Sequence, residues 1–232
     1  MKRGFLRYFP IFLTLFSVVI GSFQVLPICS AAFGYRSAPT EEKRIALTFD
    51  DGPHPRLTPK ILDVLDRYGV RATFFMIGVN AENYPGSARE VAARGHEIGN
   101  HTFSHGRLSG VGEARAGQEL TDCSNAIERV CGCRPRLFRP PEGALDQTAI
   151  EVACRNGYEV ILWSLDTRDW EVKDENVIAR RVLSAVKPGD IILMHDFIGH
   201  NSKTPEALEF LIPKLRALGY EFVTVGELLG IG

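Results

Sequence analysis

Short apolar runs alternate along this chain with longer stretches in which apolar residues recur every three or four positions. The short runs read as buried strands at 44–49, 73–77, 96–101, 136–139, 159–165, 190–194 and 220–225. The longer stretches read as helices at 58–68, 87–94, 113–130, 146–156, 175–186 and 204–218, with a last helical turn at 226–229. In the first helix Ile61, Leu62, Val64 and Leu65 form one stripe, and Gly69 ends it. Strands alternating with helices predict an α/β fold with a parallel sheet and right-handed crossovers. Six or seven such units fit a (β/α) barrel. A dinucleotide-binding sheet does not fit, because no Gly-x-Gly-x-x-Gly turn follows the first strand.

The chain's beginning breaks this pattern. Lys2, Arg3 and Arg7 precede a stretch from Tyr8 to Tyr35 without a charged side chain, closing on small residues at Ser30, Ala31 and Ala32. Residues 1–33 therefore read as a signal peptide or an N-terminal membrane anchor, with the protein exported, either secreted or held on the outer face of the cytoplasmic membrane. Residues 34–43, polar and carrying Pro39, read as a linker, and 44–232 as one domain. The net charge of −1 supplies no field for nucleic acid. Export permits disulfides among Cys123, Cys131, Cys133 and Cys154, and free buried thiols are the other reading. Cys131-Gly132-Cys133 lacks the second ligand pair of a zinc site.

Asp50, Asp51, His101, Arg139, Asp166, Asp169 and His195 all lie at or just past the C-terminal ends of predicted strands. In a barrel of parallel strands those ends share one rim, where active sites are built. Adjacent strand residues face opposite sides, so Asp50 and Asp51 can divide labour, one on a metal and one as a base. His101 and His105, four apart, would share one face of a helical turn and with Asp51 form a His-His-Asp set suited to zinc or iron.

Five segments in order carry a family resemblance: Thr48-Phe49-Asp50-Asp51-Gly52-Pro53, His101-Thr102-x-x-His105, Arg139-Pro140-Pro141-x-Gly143, Asp166-x-x-Asp169-Trp170 and Leu193-Met194-His195. Together they resemble the polysaccharide deacetylases, the NodB-homology domain of carbohydrate esterase family 4, from about Arg44 to Leu229. The resemblance implies a distorted (β/α) barrel of about seven parallel strands. It implies a divalent metal, zinc first, with cobalt, manganese or iron as alternatives, on Asp51, His101 and His105. It makes Asp50 the general base, with Arg139 as its partner, and His195 the general acid, with Asp169 as its partner. Trp170 and Leu193 would wall the acetyl methyl group. Asp166 is left between a strand-end cap and a site role.

One position departs from the pattern. Glu142 stands where the family usually has an aromatic residue, most often tyrosine. The backbone N–H that helps hold the oxyanion survives such a change, while the substrate-facing surface gains a charge. That charge should disfavour carboxylate-bearing sugars such as N-acetylmuramic acid and favour N-acetylglucosamine. Of the other histidines, His54 and His96 read as structural, and His200 lies in a rim loop within reach of sugar.

The expected protein is a metal-dependent enzyme removing N-acetyl groups from a cell-wall polysaccharide, with peptidoglycan N-acetylglucosamine units first. Chitin-like oligomers and O-acetylated glycans are alternatives. A catalytically silent sugar-binding protein and a hydrolase of small amides are the readings from other classes.

Overall fold

All strand-to-strand ladders in the computed structural model are parallel, and the strands form one curled sheet. The model describes residues 34–197 and 202–231; the leader and His200 lie outside the described residues. The strands are β1 (Arg44–Asp50), β2 (Thr73–Met76), β3 (Glu97–Asn100), β4 (Leu137–Phe138), β5 (Glu159–Val160), β6 (Leu165–Asp166), β7 (Ile191–His195) and β8 (Glu221–Phe222). Their order is β5-β4-β3-β2-β1-β7-β6, with β8 pairing off this path against β1. Seven strands thus curl into a half-barrel. Around it run α1 (Leu57–Arg67), α2 (Gly78–Asn83), α3 (Pro85–Ala93), α4 (Glu113–Cys131), α5 (Gln147–Arg155), α6 (Glu175–Ala185), α7 (Thr204–Ala217) and α8 (Val225–Leu229). Among the described residues no helix is long and apolar enough to cross a membrane.

Strand alternation sorts the side chains into two sets. Ile45, Leu47 and Phe49 of β1, Phe74 and Met76 of β2, and Ile192 and Met194 of β7 pack with Ile61, Leu65, Leu208 and Leu211 of the flanking helices. Residues of the other parity, Ala46, Phe75, Leu137 and Ile191, form a second cluster inside the curl. The same parity continues upward to Thr48, Asp50, Arg139, Leu193 and His195. Period 2 therefore delivers the polar residues to the interior of the rim.

The structure differs from the sequence reading, or adds to it, at four points. The run read as one strand at 159–165 is two, β5 paired with β4 and β6 paired with β7. Its apolar character reports burial, not partner, and the chain crosses the opening of the curl within it. Helix α2 has only Gly78 and Ala81 buried, too little to print a periodic stripe. The segment read as a linker is hydrogen-bonded to the barrel: the Tyr35 N–H donates to Val160 O at 2.8 Å, and the Ala38 N–H donates to Gly189 O at 2.8 Å. Finally, of the two cysteine readings, the free-thiol one holds for Cys123, Cys131 and Cys133, while Cys154 is disulfide-bonded, so the four later cysteines do not pair among themselves.

Candidate active site

Asp50 ends β1 with its carboxylate inside the curl and is 4% exposed. Beneath it lies Arg139, completely buried, its guanidinium 4.1 Å from the Phe75 ring centroid. Arg139 Nη1 donates to Asp50 Oδ1 at 2.8 Å and to Thr48 Oγ1 at 2.7 Å, while Nη2 donates to Leu162 O at 3.0 Å. Arg139 therefore holds Asp50 through a single contact. The other arm is used to tie β1 to the chain beyond β5. Burial lowers the Arg139 pKa, and the neighbouring Asp50 charge opposes that shift.

The chain then turns sharply. Asp51 has φ 75°, in the left-handed region, and its carbonyl accepts from Asn80 Nδ2 at 2.7 Å. Its Oδ1 lies 3.3 Å from His101 Nε2 and 3.1 Å from His105 Nε2. Burial would raise the Asp51 pKa, but hydrogen bonds to the two imidazoles hold it well below the carboxylate range. His105 is pushed up by the same contact with Asp51.

The two histidines do not share a helical turn. His101 directly follows β3, and the loop after it contains left-handed residues at Thr102, φ 65°, and His105, φ 60°. These bends bring the rings to a centroid distance of 5.2 Å. The loop is held from α4: Asn100 Nδ2 donates to Leu120 O while its Oδ1 accepts from Thr102 N, and Ser104 donates through N and Oγ to the buried Glu119. His101 Nδ1 lies 2.7 Å from Arg139 O. A carbonyl only accepts, so Nδ1 carries a proton, and Nε2, which faces Asp51, is the nitrogen positioned to take a metal. One ligand atom from each of Asp51, His101 and His105 lies within 4.8 Å of the others, a possible metal site of one carboxylate and two imidazoles.

On the other side of the cavity stands His195, at the end of β7 and level with Asp50 in the β1–β7 register. His195 Nδ1 bonds Asp169 Oδ1 at 2.7 Å. Asp169 Oδ2 also accepts from the His195 backbone N–H at 2.9 Å and from Thr204 Oγ1 at 2.7 Å. Burial works against the imidazolium, yet the hydrogen bond and charge of Asp169 raise the His195 pKa to about 9.

These groups surround a cavity of about 440 Å³. Asp50, Asp51, His101, His105, His195, Trp170, Leu193 and Glu142 line it, with Arg139 and Asp169 behind as partners. Glu142 occupies a short 3₁₀ turn, Pro141–Gly143, with φ 57°, and its carboxylate pairs with Arg107 at the lip. Its charge is therefore balanced, which a single-residue reading could not show. Asp166 lines the cavity and accepts from the Arg168 N–H at 2.8 Å, which makes it both a turn cap and a wall residue.

Sequence reasoning missed three contributors. Trp163 lines the cavity although it lay inside a run read as core strand; a Cβ on Gly143 would sit 2.9 Å from its ring. Thr48 opens the first motif without a role of its own in the sequence reading, yet it shares the Arg139 donor. Asp196, one residue past the last motif, is 1% exposed, and burial lifts its carboxyl pKa to about 7. Two histidines are structural. His54 Nδ1 accepts from the Arg56 and Leu57 N–H groups at the start of α1. His96 is buried at the opposite end of the sheet, where its Nδ1 accepts from the Ala72 N–H.

The comparisons agree with this geometry. A family model described as polysaccharide deacetylase matches residues 37–161. A peptidoglycan-N-acetylglucosamine deacetylase of Bacillus cereus is 42% identical over 193 residues, 82% of this chain and 90% of that protein. The crystal structure of the Bc1960 peptidoglycan N-acetylglucosamine deacetylase superimposes with TM-score 0.82 at 36% identity, covering 85% of this chain and 92% of that one. A family 4 acetyl xylan esterase from Clostridium thermocellum, in complex with a cobalt ion, has TM-score 0.74 at 36% identity, over 80% of this chain and 90% of that one. By motif, fold and sequence alike, the chain belongs to the polysaccharide deacetylase family.

Proposed function

We propose that the protein is an exported, metal-dependent N-deacetylase of N-acetylglucosamine units in a cell-wall polysaccharide, with peptidoglycan as first substrate. The observation that carries this reading is that Asp50 and His195 stand level on adjacent strands across one cavity that also holds the Asp51, His101 and His105 set. Relatives named as peptidoglycan N-acetylglucosamine deacetylases support the substrate. The basic, then apolar, beginning of the chain supports export, with retention at the membrane as the variant of that reading.

Asp51, His101 and His105 fit a divalent ion in donor type and spacing. Zinc is the proposed ion, and cobalt in a related esterase supports exchange among such ions. Bound there, the ion would polarise the acetamide carbonyl and make water more acidic. The chain's own residues do the rest. Asp50, oriented by Arg139, accepts the proton of the attacking water as its oxygen bonds to the carbonyl carbon. The backbone N–H of Glu142 is assigned to the oxyanion. His195, with Nδ1 committed to Asp169, gives its Nε2 proton to the amide nitrogen as the C–N bond breaks. Acetate and a free amine result. An amide anion is too basic to leave unprotonated, so the acid is required.

The test is acetate release from N-acetylglucosamine oligomers and from peptidoglycan, with added zinc or cobalt, by wild type and Asp50→Asn. Wild-type release and a loss of at least roughly 100-fold in the variant, at equal metal content, is the expected result. Equal release by both would remove Asp50 as base. No release by a metal-loaded wild type would favour a silent sugar-binding protein.

A further inference from the structure

Asp196 is a carboxylate that no reaction step uses, yet it occupies a costly position. It is 1% exposed, and its Oδ1 makes no hydrogen bond of normal geometry among the described residues, the Gly52 N–H being the group that faces the carboxyl. Leaving a buried carboxyl oxygen unpaired costs stability that a well-packed apolar side chain would not. Fold stability alone therefore does not account for it.

Its contacts converge on one turn. The Asp196 N–H donates to Asp50 O at 3.1 Å. Its Oδ2 accepts from Thr58 Oγ1 at 2.6 Å, and that hydroxyl accepts from the His54 N–H at 2.7 Å. Between these contacts the carboxylate rests on Gly52: a Cβ there would lie 2.1 Å from Oδ2 and 2.2 Å from Oδ1. Asp196 thus touches Asp50 on one side of Asp51 and Gly52 on the other. Asp51 is the residue forced to φ 75°, a conformation that persists only when its surroundings over-determine it. It is also the residue that must aim one oxygen at two imidazoles.

We propose that Asp196 is a positioning residue that clamps the Asp50-Asp51-Gly52 turn, setting the angle between the proposed base and the proposed metal-ligating carboxylate. The clamp ties that turn to the His195 strand end and, through Thr58, to α1. It builds on the deacetylase reading for its effect on turnover, but its effect on metal affinity stands independently.

The experiment compares full-length wild type with Asp196→Ala, Asp196→Asn and Gly52→Ala. It measures zinc affinity by chelator competition, kcat and KM on N-acetylglucosamine oligomers, and the melting temperature of the metal-free protein. Asp196→Ala should weaken zinc binding by roughly 10- to 100-fold, the usual loss for an outer partner of a metal ligand. It should lower kcat by a similar factor with KM little changed. Asp196→Asn keeps an acceptor for Thr58 and should recover most of both. Gly52→Ala, which displaces the carboxylate from the other side, should reproduce the zinc loss with Asp196 intact. Should Asp196→Ala not fold, the latter two variants carry the test. A lower melting temperature with unchanged zinc affinity and kcat would show a purely structural carboxyl and overturn the proposal, as would zinc affinity in Asp196→Asn no better than in Asp196→Ala. If wild type releases no acetate from any glycan, the deacetylase reading fails while the zinc measurements still decide the clamp.

Discussion

His96, which is buried, and His195, which is partly buried, lie at opposite ends of the same sheet, and the protein shifts them in opposite directions. His96 precedes β3, stacks edge-on at 5.3 Å from the Phe74 ring centroid and has no partner for Nε2 among the described residues. Burial, as the largest cause, lowers its pKa to about 4. His195 follows β7 and is nearly as enclosed, yet Asp169 lifts it to about 9. Burial is common to both. The carboxylate behind the ring decides which imidazole holds a proton at neutral pH. At the rim Asp169 is hydrogen-bonded to the His195 ring, whereas the charge of Asp66 raises the His96 pKa without a hydrogen bond to the ring and does not overcome its burial.

Asp169→Asn is the strongest way to break this contrast, because it leaves His195 enclosed without a hydrogen-bonded countercharge, as His96 is. Turnover at neutral pH should fall by about 100-fold or more. His195 is protonated below its raised pKa, so the basic limb of the pH–rate profile should move to lower pH in the variant. An unmoved limb would remove His195 as the acid.

The far end gives the next largest effect, this time on stability. The folded pKa of His96 lies below the unfolded value near 6.5, so the unfolded state binds more protons between pH 6.5 and 4. Stability should therefore fall as pH drops through that window, by on the order of 3 kcal/mol in full. Denaturant midpoints at pH 7 and pH 4.5 measure most of this loss. His96→Leu should abolish its share of the acid dependence. His195 has the opposite sign: its contribution is present below pH 6.5 and lost as pH rises through about 9.

The smallest effect belongs to the lip, where Arg107 and Glu142 are both more than half exposed. Such a pair contributes roughly 0–1 kcal/mol to stability, so its consequence is sought in specificity. Arg107→Gln leaves the Glu142 charge unpaired and should lower the preference for muramic acid units relative to N-acetylglucosamine units by a few-fold. Glu142→Gln should shift the ratio the other way. Both shifts should shrink in high salt. Ratios that do not move would show that the lip charges never meet the substrate.

The strand–helix alternation was legible because apolar spacing depends on local geometry, whereas the β1–β7 register that sets Asp50 level with His195 came from the sheet. The rim clustering of Asp51, His101, Arg139 and Asp169 followed from strand ends alone. The tertiary structure alone decided how those residues meet. His101 and His105 converge through left-handed bends at Thr102 and His105, held by Asn100 and Glu119, and no four-residue spacing specifies such bends. Arg139 divides its donors between Asp50 and Leu162 because β1 and the crossing after β5, far apart in sequence, enclose it together. Trp163 and Asp196 escaped because an apolar run reports only that it is buried, and a lone aspartate reports nothing until its neighbours are known. Periodicity is written in the chain; partners separated by more than a hundred residues, such as Thr58 and Asp196, are chosen only when the barrel closes around them.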